Sequence, residues 1–171
     1  MAKERRSRVY LVGFMGSGKT SVGRCLAREI GFRFVDLDEE IETARGLSVA
    51  EIFEREGEAE FRRLESAALR RVGVLHEVVV ATGGGTLTRW ENRDFIKRTG
   101  VSVWLDAPLD VMLERCRDGV RRPLLSSPER MAELLEERLP GYRAADLRAD
   151  AAAESPEAAA RRIAAQVAPL L

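Results

Sequence analysis

The chain is poor in cysteine, has a single histidine and contains no long apolar run. Its two cysteines, Cys25 and Cys116, are too few for a disulfide framework or a zinc site. Both sit in helical stretches beside leucines, the pattern of buried thiols in a reducing compartment. The histidine, His76, precedes an apolar strand and has no companion with which to hold a metal. No segment approaches the roughly twenty apolar residues that a membrane span needs. The start, MAKERRSRVYLVGF, has a basic run but no apolar stretch of signal-peptide length. A cytoplasmic protein that touches no membrane is expected. Net charge is absent too: 28 Lys and Arg balance 28 Asp and Glu, which argues against a chain that binds nucleic acid through bulk charge. There is no internal repeat, no low-complexity tract and no linker, so residues 1–171 are read as one domain with a real core.

What is present is an alternation. Strand-like runs are predicted at 8–14, 32–38, 77–82 and 101–108, with a short fifth within 143–150. Helical patterns fill the intervals. One follows Thr20 and stops at Gly31, and a brief one over 39–45 stops at Gly46. The next opens at Ser48 with Glu51 three residues on, a capping box, and carries Phe61, Leu64, Ala68 and Leu69 on one face. Others cover RWENRDFIKRTG, the segment after Pro108, MAELLEERL between Pro128 and Pro140, and the alanine-rich PEAAARRIAAQVAPLL. Strands alternating with helices predict an α/β fold, a mostly parallel sheet covered on both faces. The stretch GVRRPLLSSPER (119–130) breaks the rhythm and reads as a loop.

Residues 13–20, GFMGSGKT, match G-x-x-x-x-G-K-[ST] in full, with an apolar strand before and a helical pattern after. Backbone N–H groups at such a turn and the helix start beyond it cradle phosphate oxygens. Gly13, Gly16, Ser17, Gly18, Lys19, Thr20 and Ser21 are therefore the candidate ATP-binding residues. Lys19 brings mobile charge to the terminal phosphates and the Thr20 hydroxyl ligates Mg²⁺. In FVDLDEE, Asp36 and Asp38 close the second strand. On an extended segment they would point to one face, beyond the carboxyl ends of the strands where ligands bind. Asp36 is the candidate metal ligand beside Thr20.

A phosphate loop alone serves a kinase, a GTPase or an ATP-driven machine. There is no NKxD stretch to read guanine, and the chain is too small for much mechanical apparatus. A compact domain with an arginine-bearing loop points to phosphoryl transfer onto a small molecule. Phe61 and Leu64 anchor the helix that carries Arg62, and Glu58 and Glu65 stand at the right spacing to orient it. A guanidinium held this way binds a carboxylate through two parallel hydrogen bonds. Gly83, Gly84 and Gly85, in ATGGGTL, follow the third strand at the same sheet edge as the phosphate loop. Three glycines there leave a backbone that a substrate can approach. Arg122 opens RPLL in the irregular loop, placed to close over ATP and bring charge to the transferring group. Arg115, or nearby Arg117, is the candidate at the nucleotide base. Arg138, at a helix end, is a candidate second carboxylate clamp.

Taken together, GFMGSGKT, DLDEEIE, IFEREGEAEFRRLE, ATGGGTL, RRPLL and ERLPGY resemble the shikimate kinases in kind and order, across roughly residues 9–143. The resemblance implies a three-layer α/β/α P-loop kinase fold with five parallel strands ordered 2-3-1-4-5. It implies a substrate-binding region near 37–65 and a lid near 117–128. It implies ATP and Mg²⁺, phosphorylation of the 3-hydroxyl of shikimate, and a monomer without nucleic-acid partners. By the same resemblance Lys19, Asp38 and Arg122 are catalytic, Asp38 engaging the shikimate hydroxyls and accepting a proton. Arg62, Gly83, Gly84, Gly85 and Arg138 hold shikimate, and Arg115 and Pro156 border adenine. Two features depart from the family pattern. The Arg122–Arg138 interval is about one helical turn short, and Gly141 stands where a leucine is common. Arg143, just beyond, is the rival to Arg138.

Overall fold

The computed structural model describes residues 7–117, 127–152 and 154–171. Five strands form one parallel sheet: β1 (Arg8–Val12), β2 (Arg33–Asp36), β3 (Val78–Ala81), β4 (Val101–Asp106) and β5 (Leu147–Asp150). Their order is β2-β3-β1-β4-β5, the expected one. The central strand β1 pairs Val9 with Val79 on one side and with Val101 on the other.

Because strand side chains alternate, β1 feeds two cores. Val9 and Leu11 join Val22, Leu26, Val103 and Ile163, under α1 (Lys19–Ile30) and α7 (Pro156–Val167). Tyr10 and Val12 join Ile52, Leu69, Ile96 and Met131 on the opposite face. There lie α2 (Leu37–Arg45), α3 (Val49–Val72), α4 (Trp90–Thr99), α5 (Leu109–Arg117) and α6 (Pro128–Arg143). All four residues of β3 are buried, as the unbroken run VVVA requires of a strand covered on both faces. Among the described residues no helix is long and apolar enough to cross a membrane.

Three local expectations are corrected. The first strand stops at Val12, because Gly13 turns away with φ 147°. The second stops at Asp36, so Asp38 lies in the first turn of α2 and the two carboxylates do not share a strand face. The reason is a cap: Asp36 Oδ1 accepts from the backbone N–H of Asp38 at 2.9 Å and of Glu39 at 3.4 Å. Finally, α6 runs through Pro140 to Arg143 instead of stopping before it. Proline forfeits one ladder bond near the helix end. Arg138 and Tyr142, four residues apart on one buried face, keep that last turn packed.

Within α3, Gly57 has φ 85° and ψ 169°, a conformation that in practice only glycine takes, and the helix kinks there. The Ser48–Glu51 capping box is present at its start, with Glu51 N–H donating to Ser48 Oγ and Glu51 accepting from Ser48 N–H.

Candidate active site

Two cavities open at the carboxyl edge of the sheet, and both are bordered by Gly84. The first, of ≈ 480 Å³, is lined by Gly16, Gly18, Lys19, Thr20 and Ser21, by Asp36 and Asp38, and by Arg115 and Pro156 at its far end. Gly13 and Ser17 stand behind this wall. Gly13 has no room for a Cβ, which would fall 2.6 Å from the Leu105 carbonyl oxygen. Ser17 is fully buried and spends its N–H on the Phe14 carbonyl at 3.2 Å. Gly16 has φ 77°, and a Cβ there would meet the Met112 carbonyl oxygen at 2.6 Å. The loop therefore lies flat against α5, with its backbone toward the cavity. Lys19 Nζ donates to the carbonyls of Gly13 at 2.8 Å and Phe14 at 2.9 Å, which folds the ammonium back along the loop.

Thr20 Oγ1 donates to Asp36 Oδ2 at 2.7 Å. The candidate metal pair is thus assembled, with Asp36 reaching it from the last position of β2, where it also caps α2. Arg115 donates to the Gly16 carbonyl at 3.3 Å and the Ala151 carbonyl at 2.9 Å, and so ties the phosphate loop to the chain that leads into α7. Pro156 opens that helix, behind a Ser155 cap.

The second cavity, of ≈ 670 Å³, is lined by Glu58, Arg62, Leu87, Arg93, Arg138 and Tyr142, among others. Arg62 Nη1 donates to Glu65 at 2.9 Å and Nη2 to Glu58 at 3.4 Å, so both expected acids do orient it. Glu65 is fully buried. Arg138 is buried as well, and among the described residues no carboxylate pairs with it and its Nε has no hydrogen-bond partner. Burial presses its guanidinium below the usual arginine range. The neighbouring Tyr142 opposes that shift and the positive charge of Arg62 adds to it. Tyr142, pushed up to about 12 by burial, keeps its proton and donates it to the Gly84 carbonyl. Arg143 is exposed and borders a different depression, with Trp104 and Arg148. Of the two rival clamps, only Arg138 faces the cavity of Arg62.

At two of its three positions the triple glycine has a structural cause beyond the one expected. A Cβ on Gly83 would lie 2.2 Å from Glu65 Oε1, and one on Gly85 would lie 2.3 Å from Arg62 Nη2. Neither residue has a positive φ. These two glycines make room for the buried Arg62–Glu65 pair, and Gly84 leaves backbone open to both cavities. Sequence reasoning did not single out Thr86, whose hydroxyl donates to Glu65, or Tyr142 at Gly84. A threonine behind three glycines and a tyrosine four residues after an arginine carry no signal until the fold joins them. Arg122, the lid near 117–128 for residues 118–126, and the side chain of Arg117 lie outside the described residues.

The family model described as shikimate kinase matches residues 15–168. The chain belongs to the shikimate kinase family. A shikimate kinase of Synechococcus sp. (strain CC9902) is 48% identical over 164 residues, 92% of this chain and 85% of that one. The structure of the Acinetobacter baumannii shikimate kinase in complex with shikimate superposes with a TM-score of 0.91 at 38% identity, covering 97% of this chain and 95% of that one. A gluconokinase from Sinorhizobium meliloti, at 21% identity and a TM-score of 0.56, shares the fold alone. As a shikimate kinase the chain is an enzyme that phosphorylates shikimate with ATP, giving shikimate 3-phosphate on the way to chorismate. Shikimate kinases use ATP and Mg²⁺. Among the described residues no three His, Cys, Asp or Glu gather to hold a metal. Magnesium requires no such cluster, because it keeps several waters and shares the rest of its shell with substrate phosphates.

Proposed function

We propose that phosphoryl transfer in this chain crosses Gly84, from ATP in the first cavity to shikimate in the second. The observation that carries this reading is Arg138: a buried guanidinium that no carboxylate among the described residues reaches as an ion pair, although Glu65 attracts it from behind, beside Arg62, in a cavity that meets the phosphate-loop cavity at one glycine. A buried cation of this kind is stabilised by an anionic ligand, and a carboxylate matches the two guanidinium forks. Arg62, Arg93, Arg130 and Arg138 against Glu58, Glu137 and the Glu65 behind Arg62 sum to one positive charge, which a monoanionic acid neutralises.

With the carboxylate at that end, the ring hydroxyls face Gly84 and Asp38. Asp38 borders the first cavity and lies 3.3 Å from the position a Gly83 Cβ would take. It is placed to orient the attacking 3-hydroxyl and take its proton. The backbone of residues 13–20 holds the phosphates, Arg115 and Pro156 border the base, and Lys19 supplies charge to the transferring group. Thr20 and Asp36 offer oxygen donors that suit Mg²⁺. When bound there, the ion adds positive charge along the phosphate oxygens. Arg122 supplies lid charge by family resemblance. Arg122→Ala is expected to lower kcat far more than it raises the shikimate KM. A working monomer is expected by family resemblance; sedimentation of the active enzyme checks this.

The clamp is tested by calorimetry of shikimate binding to Arg62→Ala and Arg138→Met. Removing one side of a desolvated charged pair costs about 2–5 kcal/mol, so shikimate affinity should drop at least about thirtyfold while ATP affinity holds. Wild-type shikimate affinity in either variant would remove that arginine from the clamp. Arg62→Lys should rescue only in part, because an ammonium lacks the planar fork.

A further inference from the structure

We propose that Thr86 is a positioning residue for shikimate, acting through Glu65 to aim Arg62; the inference rests on the reading of Arg62 as a carboxylate clamp. Arg62 is a long side chain with two acids in reach. Glu58 is more than half exposed and stands at 3.4 Å, whereas Glu65 is fully buried and stands at 2.9 Å. The direction of the guanidinium therefore follows the orientation of the Glu65 carboxylate. That carboxylate has its own torsional freedom, one turn along α3, and something must remove it.

Thr86 does so from a different element. Its hydroxyl donates to Glu65 Oε1, on the opposite side from the Arg62 bond to Oε2. Gly83 closes the same wall, since even a methyl group there would fall 2.2 Å from Oε1. Thr86 is itself fully buried and held by its backbone. Its N–H donates to the Gly83 carbonyl at 3.2 Å, and its carbonyl accepts from Asn92 Nδ2 at 3.0 Å. The β-branched side chain is stiff at χ1, so a fixed backbone fixes the hydroxyl. A chain of contacts thus runs from Asn92 on α4 through Thr86 and Glu65 to Arg62, and of these only Arg62 borders the acid cavity. Without the hydroxyl, Glu65 keeps a buried oxygen with no donor. Turning the carboxylate relieves that, and the guanidinium turns with it.

The test compares wild type with Thr86→Val, Thr86→Ser, Arg62→Ala and Arg62→Ala/Thr86→Val, by shikimate calorimetry and steady-state kinetics. Thr86→Val should raise the shikimate Kd and KM about tenfold, the order expected for one lost buried hydrogen bond. kcat at saturating shikimate should stay within about twofold and the ATP KM should not move. Thr86→Ser, which keeps the donor, should restore most of the affinity. On the Arg62→Ala background the valine should add less than about twofold, because residues acting in series are not additive. Thr86→Ala removes the same hydroxyl without adding an apolar branch, and must show the same split if the valine variant does not fold. The proposal is overturned by wild-type shikimate affinity in both truncations, by a loss that adds in full to that of Arg62→Ala, or by an equal loss in ATP affinity. Wild-type affinity in Arg62→Ala itself would instead sink the clamp.

Discussion

The cavity at the phosphate loop and the cavity at Arg62 meet at Gly84, yet they are built in opposite ways. The phosphate side is built around one run of eight consecutive residues, 13–20, that presents its backbone to the cavity, with Asp36, Asp38, Arg115 and Pro156 at its edges. Its glycines are there for the main chain: Gly13, Gly16 and Gly18 all take positive φ, and Gly13 and Gly16 lie against carbonyls of β4 and α5. The acid side draws side chains from α3, from the turn after β3 and from α6. Its glycines serve other side chains, Gly83 clearing Glu65 and Gly85 clearing Arg62. Backbone recognition can be written locally, because successive N–H groups point where a short turn aims them. Side-chain recognition of a carboxylate needs guanidinium groups held from several directions, and so requires distant segments.

The comparison is most easily broken at Lys19. No other basic residue lies within the phosphate loop, so Lys19→Ala should cut kcat by about a thousandfold while shikimate binding by calorimetry stays intact. Retention of more than about a tenth of turnover in the folded variant would deny it that role. A pair of alanines sharpens the contrast. In Gly16→Ala the new Cβ meets backbone at positive φ, so melting temperature and ATP affinity should fall together. In Gly85→Ala it meets the movable end of Arg62, so stability should stay near wild type while shikimate affinity falls about thirtyfold. Equal thermal losses in the two would erase the distinction between backbone and side-chain glycines.

A smaller effect concerns Tyr142. Its proton is held to about pH 12 in the fold, above the unfolded value of 10, so the stability it contributes is present below pH 10 and is lost as pH rises toward 12. Urea titrations across that window should show a shallower decline in Tyr142→Phe. Part of the slope should remain, because burial also raises Tyr10. The smallest expected change is in Arg143→Ala, whose exposed side chain faces away from the acid cavity. Shikimate affinity there should hold within about twofold, and a large loss would return Arg143 to the clamp.

The strand order came with the resemblance to the shikimate kinases, whereas the capping box at Ser48, the phosphate loop and the Glu58–Arg62–Glu65 spacing were readable from residue patterns. Each of these three depends on neighbours a few residues away or on a motif with its own geometry. Asp38 was misplaced because strand and helix differ there by a single cap: Asp36 accepting two N–H groups ends the extended segment. Pro140 misled because a local helix breaker was outweighed by the burial of Arg138 and Tyr142. The triple glycine was seen as backbone open to a substrate, but that side chains at 83 and 85 would also meet Glu65 and Arg62 was not legible.

By itself the sequence determined a phosphate-binding loop on a parallel sheet that suits phosphoryl transfer to a small molecule, and its resemblance to the shikimate kinases supplied the acid substrate. The loop and the sheet are local information, carried by turn geometry and by the periods of strand and helix. Only the tertiary structure showed that Arg138 shares a cavity with Arg62, that a side chain at 83 or 85 would meet Glu65 or Arg62, that Tyr142 lines the same cavity and that Thr86 stands behind Glu65. Those placements follow from burial. Arg138 and Glu65 become costly charges only once the surrounding elements exclude water, and which groups then satisfy them is settled by the packing of helices far apart in the chain.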